Sequence, residues 1–433
     1  MSKKIKVGML GIGNVGTGTC RALEMNHDLI AARTGLDIEI VKILNRSPEK
    51  DRGVSVPAEK YTADVNEILN DPEIDIVAEL IGGIEPATSY MAEALSKGKH
   101  VVTANKAAIA ANGPMLASLA QENKVMLRFE AAVAGGIPIL TSITTALLSN
   151  ELTQVHGILN GTTNYILSQM SMYGKSYEEV LKDAQEKGFA EADPTADVEG
   201  LDAANKLSIL ISLIFGISAS PDAIPTRGIT SVSNVDIAFA EEAGYKIKLL
   251  GSAERKGDKV YGNVEPVLLP VSHPLASVNN EFNAVFVNGN AVDELMFYGR
   301  GAGPLPTGSA VLGDIIGISK RIDKESAYDN LPQLRYDSPL TFAGEGNSKY
   351  YVRMAVPEKS GILGKITTIF GEYDISIEVI RQEADKVEGD EQLVSLIVIL
   401  FDTEKKKLLE ALDKILKTDA VHSIENIMRV ETR

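Results

Sequence analysis
The chain opens on an alternation of apolar and polar positions from Lys4 to Leu10 and then shifts to apolar residues at helical spacing as far as about Ala32. A period of two predicts a strand, and a period near 3.6 a helix. The same switch recurs: strands are expected over Ile38 to Leu44, Ile74 to Ile81, His100 to Ala104 and Lys124 to Phe129. Helices are expected near Asp64 to Leu69, Pro86 to Lys97 and Gly113 to Glu122. Strands alternating with helices predict a parallel, doubly wound sheet for residues 1–150, with ligands beyond the carboxyl ends of its strands.

From Glu151 the pattern changes. A strand, Leu152 to Leu159, leads to helices at Tyr165 to Met172 and Tyr177 to Lys187, then to an apolar helix from Val198 through Ile214. Strand-like runs at Lys246 to Ala253, Lys259 to Leu269, Phe282 to Val287 and Ala291 to Tyr298 predict a mixed sheet in a second α+β domain, 151–322. A helix from about Thr307 to Ile318 ends this domain and is free to return to the first. Polar residues with Pro332, Pro339, Gly344 and Gly346 make 323–348 a linker. The remainder, 349–433, reads strand (Tyr350 to Val356), helix (to Phe370), strands (Ile375 to Gln382 and Gln392 to Phe401), helix (from Lys405) and strand (Ile424 to Val430), the βαββαβ order of a ferredoxin-like unit.

Composition narrows the class. An apolar content of 44% and a charged content of 24% suit a globular protein. The formal net charge of -16 and the lack of a basic run argue against nucleic acid or an anionic membrane as partner. Cys20 is the single cysteine, so no intrachain disulfide forms, and it reads as a small core residue. The N-terminus enters a strand pattern with no leader-like apolar run, and no later stretch reaches the ~18 apolar residues of a membrane span, which predicts a cytoplasmic protein.

The first strand runs directly into Gly11-Ile12-Gly13-Asn14-Val15-Gly16, which opens a helix. In that context G-x-G-x-x-G predicts a Rossmann-type dinucleotide site. Gly11 permits the tight turn, Gly13 lets a pyrophosphate approach the backbone, and Gly16 lets helix and strand pack closely. The second strand ends in Asn45-Arg46 rather than an acid, and Asp37 lies at its wrong end. The carboxylate that would hold a ribose 2′-hydroxyl is therefore missing, and Arg46 is either a solvated loop charge or a partner for a 2′-phosphate, which favours NADP while leaving NAD possible. Lys106 closes a strand-end segment, and Gly299 to Pro304 is a second glycine-rich approach to a helix. Glu130 precedes the small-residue loop Ala131 to Ile137, which reads as a helix cap or as an oxygen-lined cation site.

The densest chemistry lies between Lys187 and Leu207, where Glu191, Asp193, Asp197, Glu199 and Asp202 precede Lys206. Asp202 and Lys206 are four apart on one helix face, so their Cβ atoms stand roughly 5–6 Å from each other. The pair is either a helix-surface ion pair or, if partly desolvated by the surrounding leucines and isoleucines, a lysine tuned for proton transfer. Asn160-Gly161-Thr162 at the end of the sixth predicted strand is either a turn and N-cap or a set of substrate donors.

Taken together, GIGNVG at 11–16, TANK ending at Lys106, FEAAVAGGIP from Phe129, LNGTTNYIL from Leu159, GFAEADPTADVEGLDAANK from Gly188 and GRGAGP from Gly299 resemble homoserine dehydrogenases of the long form that carries a C-terminal ACT domain. The resemblance implies reversible, NAD(P)-dependent interconversion of L-aspartate 4-semialdehyde and L-homoserine. It implies Lys206 as acid/base, Lys106 as the group orienting the reacting oxygen, and Asp202 beside them. Glu191 would hold the substrate ammonium, with Asp197, Asn160, Gly161 and Thr162 lining the pocket. Gly11 to Gly16, Arg46, Lys106 and Gly303 would meet the cofactor, and Glu130, Val133, Gly135 and Ile137 a sodium ion. For the ACT unit the resemblance implies paired copies, hence a dimer or tetramer, with L-threonine as effector or with dimerisation as the sole role. The competing readings are a non-catalytic amino-acid sensor and another amino-acid oxidoreductase, such as a saccharopine or aspartate dehydrogenase; Lys206 with its carboxylates argues against both.

Overall fold
The computed structural model describes residues 3–45, 53–322, 336–387 and 390–432. In the first unit, β1 (Lys3–Leu10), α1 (Asn14–Thr34), β2 (Leu36–Leu44), β3 (Tyr61–Thr62), α2 (Asn66–Leu69), β4 (Ile76–Glu79), α3 (Ala87–Ser96), β5 (His100–Thr103), α4 (Lys106–Glu122) and β6 (Leu127–Arg128) follow one another. The strands lie in the order β3-β2-β1-β4-β5-β6, parallel throughout. Chain direction across the sheet reverses between β1 and β4, and the crevice at that switch is where a dinucleotide sits in sheets of this topology. β4 is buried at every position because helices cover both faces. The helix expected from Gly113 begins at Lys106 instead and runs through Pro114. The alanine-rich start carries enough helical propensity to absorb the one backbone bond that proline forfeits.

The second unit comprises α5 (Ile139–Thr141), β7 (Leu152–Ile158), α6 (Gly161–Tyr173), α7 (Tyr177–Glu186), α8 (Thr195–Val198), α9 (Leu201–Phe215), α10 (Asn234–Glu242), β8 (Tyr245–Lys256), β9 (Lys259–Pro270), β10 (Phe282–Gly289), β11 (Asp293–Arg300) and α11 (Pro304–Ser319). β12 (Thr341–Gly344) then pairs parallel with β9, so part of the expected linker is sheet, and 323–335 lies outside the described residues. The C-terminal unit is β13 (Ser348–Pro357), α12 (Ile362–Glu372), β14 (Ile377–Val387), β15 (Asp390–Thr403), α13 (Lys405–Leu416) and β16 (Ser423–Val430). Its strands continue the second sheet in the order β11-β10-β7-β8-β9-β16-β13-β15-β14.

Three differences from the sequence pattern bear on the site. The helix expected from Val198 through Ile214 breaks at Gly200, whose φ of +83° ends α8 and starts α9. α6 begins at Gly161 rather than Tyr165, because the Asn160 side chain caps it by accepting from Thr163 N. α10 had no sequence expectation at all; a capping box joins Ser233 and Asp236 at its start. The last strand of the hairpin after Phe282 is also displaced, to Asp293–Arg300 from the expected Ala291 to Tyr298.

α11 returns to the first unit, where Val311, Leu312, Ile315 and Ile318 join the core formed by β1, β2 and α1. Each such side chain contributes about 1.5–3 kcal/mol on leaving water. The crossing is close enough that a Cβ on Gly18 would stand 1.8 Å from the Pro304 carbonyl oxygen, and one on Gly308 would stand 2.3 Å from the Gly18 carbonyl carbon. Gly18→Ala is therefore expected to cost about 1–3 kcal/mol by overpacking this crossing, seen as a lowered midpoint in urea unfolding.

Candidate active site
The glycine turn after β1 has the shape that a pyrophosphate requires. Gly11 holds φ at +99°, and a Cβ there would sit 2.9 Å from the Leu80 carbonyl oxygen; one on Gly16 would sit 2.6 Å from the Gly11 carbonyl oxygen. A Cβ on Gly13 would meet nothing, so the space above that residue is open. Gly13 caps α1 without a side-chain bond, and the first turn carries no acid, so its amides remain available to an anion. Gly303, at φ +109°, is likewise the uncapped start of α11, which abuts α1 at Gly18. Arg46 lies outside the described residues, and Asp37 is engaged at the far end of β2 by His27, 3.1 Å away.

Glu79 is a residue that the sequence reading passed over. It ends β4, has no exposed surface, and accepts from Thr103 Oγ1 at 2.6 Å and from the Ile81 amide at 2.8 Å. Thr103 in turn accepts from the Asn105 amide, and Asn105 donates to the Gly83 carbonyl while capping α4 through Ala108 N. One buried carboxylate thus ties the β4 and β5 strand ends together and sets where Lys106, the first residue of α4, emerges. A lone acid inside the apolar run Ile76 to Leu80 was the available signal.

Lys106 reaches across to the second unit, its Nζ 3.0 Å from Asp202 Oδ1. The other Asp202 oxygen accepts from Lys206 Nζ at 2.7 Å and from Asn160 Nδ2 at 2.9 Å. Lys206 also donates to the Leu159 carbonyl at 2.7 Å, and its side chain is 12% exposed, against 40% for Lys106. Asn160 spends its second amide proton on Asp197 Oδ1, 2.7 Å away, so it braces two carboxylates while capping α6. Thr162 donates to the Phe189 carbonyl at 2.6 Å and lies 3.2 Å from Asp197 Oδ2, and Gly161 lets the Glu281 carbonyl come close. Glu191 stands exposed on the acidic loop with its carboxylate unpartnered among the described residues.

The charges interlock. Burial would raise Asp202, yet the ammoniums of Lys206 and Lys106 outweigh it and hold the carboxyl well below the usual range. Lys106 is pushed above its ordinary value, first by Asp202, against burial, with Asp197 and Glu191 adding to the shift. Asp197 moves the other way from Asp202: burial raises it, against the Asn160 bond that favours its charged form. The result is a crevice wall with two cations, one firmly ionised carboxylate between them, and an open acid nearby.

Of the two readings of the Glu130 loop, the carboxylate follows the helix cap. The Glu130 carboxylate does not face the loop's carbonyls; it accepts from the amides of Leu140 and Thr141 at 2.8 and 2.7 Å, capping the helix that follows. Burial raises its pKa against those bonds. Asp314 on α11 accepts from Glu130 N at 2.8 Å and is pushed up to about 7 by burial and by Glu130. Ala134 and Gly135 adopt φ of +55° and +48°, which turns the loop sharply, and the carbonyls of Val133 and Gly135 accept no hydrogen bond among the described residues. Backbone oxygens, rather than the carboxylate, are thus what the loop offers a cation.

Comparison with known proteins places these features. A family profile described as homoserine dehydrogenase, NAD binding domain, matches residues 11–130; one described as homoserine dehydrogenase matches 138–316; and an ACT domain profile matches 350–418. The homoserine dehydrogenase of Bacillus subtilis is 39% identical over 99% of both chains, and that of Pseudomonas aeruginosa 40% identical over 99% of both. Among solved structures, a homoserine dehydrogenase from Thiobacillus denitrificans superposes with a TM-score of 0.90 at 39% identity, covering 99% of this chain and 98% of that one. A hyperthermophilic archaeal homoserine dehydrogenase in complex with NADPH superposes at 0.63 with 25% identity, covering 77% of this chain and 100% of that one. With a dinucleotide-shaped glycine turn, a lysine–aspartate–lysine crevice and full-length likeness to the Bacillus, Pseudomonas and Thiobacillus enzymes, the chain belongs to the homoserine dehydrogenase family of NAD(P)-dependent oxidoreductases, in the form that carries an ACT domain.

Proposed function
We propose that this chain interconverts L-aspartate 4-semialdehyde and L-homoserine with Lys206 as the acid/base. The observation that carries the proposal is the setting of the Lys206 ammonium. A protonated lysine has three N–H donors, and two are taken by Asp202 and the Leu159 carbonyl, which leaves one for a reacting oxygen. That site is tied to the carboxyl ends of the parallel strands: Gly11 packs on Leu80, Glu79 holds Thr103 and Asn105, and Lys106 reaches Asp202. NADP, or NAD, when bound at the glycine turn, supplies the hydride acceptor for the alcohol and the donor for the aldehyde. Lys206 gives its free proton to the aldehyde oxygen during reduction and removes it from the hydroxyl during oxidation.

Lys106, with two donors unspent, orients and polarises the same oxygen. Glu191, open and acidic, is suited to the substrate ammonium, with Asp197 and Thr162 forming the wall behind it. Asp202 acts as a fixed counter-charge, since a carboxyl so far below the usual range does not exchange the proton itself. The choice of NADP rests on Arg46 and the displaced Asp37, and agrees with the NADPH bound in the archaeal relative. A sodium ion would be held beside Glu130 by the carbonyls of Val133, Gly135 and Ile137, of which those of Val133 and Gly135 accept no hydrogen bond among the described residues. The ACT unit would bind L-threonine between paired copies and lower activity.

Lys206→Ala should retain NADPH binding by fluorescence titration and lose turnover by about 10²-fold or more, whereas Glu191→Ala should chiefly raise the KM for homoserine; near-native turnover in Lys206→Ala would remove the acid/base assignment. Arg46→Ala should raise the KM for NADPH far more than that for NADH, and equal changes would refute the 2′-phosphate contact. Asp202 has a folded pKa below its unfolded value, so its contribution is complete above the ordinary carboxylate range and disappears as pH falls through that range toward the depressed value. Asp202→Asn should accordingly cost about 3 kcal/mol at pH 7, with the gap to wild type narrowing below about pH 4 in urea unfolding curves taken at both pH values.

A further inference from the structure
Residues 224–242, between α9 and β8, take no part in the chemistry above, yet they touch both the catalytic turn and the C-terminal unit. We propose that this stretch is the mechanical link through which the ACT unit sets the position of the Gly200 turn, and with it Asp202 and Lys206; the proposal rests on the catalytic assignment of those two residues.

At the active-site end the fit is close. Ile229 N donates to the Val198 carbonyl at 2.8 Å, and Thr230 Oγ1 to Glu199 at 3.2 Å. A Cβ on Gly228 would lie 2.1 Å from the Val198 carbonyl oxygen, and one on Gly200 would lie 3.1 Å from both Thr226 and Val264. The turn that launches α9 is thus seated directly on residues 226–230, with no room for either to move alone.

At the other end the stretch is clamped to the ACT sheet by buried polar groups. β13 alternates, sending Tyr350, Val352 and Met354 into the core beneath its own helices and Tyr351 and Arg353 to the opposite face. There they meet Asp236, which has no exposed surface: Tyr351 donates to it at 2.7 Å, and Arg353 donates through two nitrogens at 2.8 and 3.2 Å. Asn426 on β16 donates to Asp236 at 3.1 Å and to the Ser231 carbonyl at 3.2 Å, and its side-chain oxygen accepts from Ser231 Oγ at 3.3 Å. Between the two ends, Glu265 on β9, 2% exposed, accepts from Arg227 at 3.1 Å and lies near Arg429 and Lys405 of the C-terminal unit at 3.5 and 3.8 Å.

The strand pairing that joins the two parts of this sheet is narrow by comparison: β9 and β16 pair at Arg429 with Val267 and at Val430 with Leu268. A tilt of the ACT sheet can pivot at that seam, but it must carry Asp236 and Ser231 with it, because breaking one partner of a buried charge pair is costly. By linkage, a ligand that shifts the ACT sheet changes affinity in the crevice, and substrate in the crevice changes affinity at the ACT unit by the same factor.

The test is Asn426→Ala in the full-length protein, which loosens the clamp and leaves the Asp236–Arg353 pair in place; Ser231→Ala is the milder second variant should the first fail to fold. Hydrogen–deuterium exchange is followed in peptides covering 195–202 and 224–236, and steady-state KM values for homoserine and NADP are measured alongside. Expected are faster exchange in both peptides and a rise of about threefold in the KM for homoserine, with the KM for NADP unchanged; general destabilisation would move both KM values or neither. Native exchange at 195–202 despite quickened exchange at 224–236 overturns the link, as does unaltered exchange at 224–236. The exchange measurement needs no turnover, so a wild-type enzyme inactive on homoserine would refute the proposed reaction and leave the link to be judged by exchange alone.

Discussion
Asp202 is the charge on which the arrangement of the crevice depends. Its two oxygens are divided between Lys106, which starts α4 in the first unit, and Lys206, one helical turn along α9. Without a carboxylate between them two ammoniums would repel across the junction of the two units, and with it they hold each other's helices in register. The cost of burying Asp202 is offset by these two ion pairs and the Asn160 bond, which fits its depressed pKa. In the proposed reaction, proton chemistry at Lys206 is thus arranged by a group that does not itself exchange a proton.

Support for that charge comes from caps and glycines more than from large side chains. Asn105 and Asn160 each cap a helix with one atom and reach a second element with another, so the same residues that start α4 and α6 also fix Lys106 and Asp202. Glu79 performs the corresponding task behind Lys106, and Gly200 behind Asp202. In each case a backbone group that a helix or strand end leaves unsatisfied becomes the anchor of the site. The candidate site and the local termination of structure are here held by the same set of bonds.

The C-terminal unit is joined to the catalytic region by a continuous sheet and by the buried Asp236 and Glu265 clusters. Polar groups placed in this way are specific in geometry, since each must find its partner or remain unsatisfied. Apolar packing spans the contact as well, with the Phe239 and Tyr351 rings 5.3 Å apart, and the polar clusters fix how the two parts meet.

The sequence by itself determined the elements whose signal is local. The glycine turn, the alternating strands of the first unit, the βαββαβ order after 349 and the four-residue spacing of Asp202 and Lys206 all follow from periodicity and from residue types that tolerate special backbone angles. It also offered Lys106 and Glu191 as charges at a crevice. Only the tertiary structure decided that Lys106 meets Asp202 from the other unit, that Asn160 braces two carboxylates, that the Glu130 carboxylate caps a helix, and that Glu79, Asp236 and Glu265 are buried anchors. Those facts depend on which distant segments come together, and a pattern read over one turn of helix or a few strand positions carries no information about partners a hundred residues away. Gly200 shows the boundary most clearly: the apolar spacing carried one helix straight through it from Val198, whereas its left-handed turn against Thr226 and Val264 was imposed by packing.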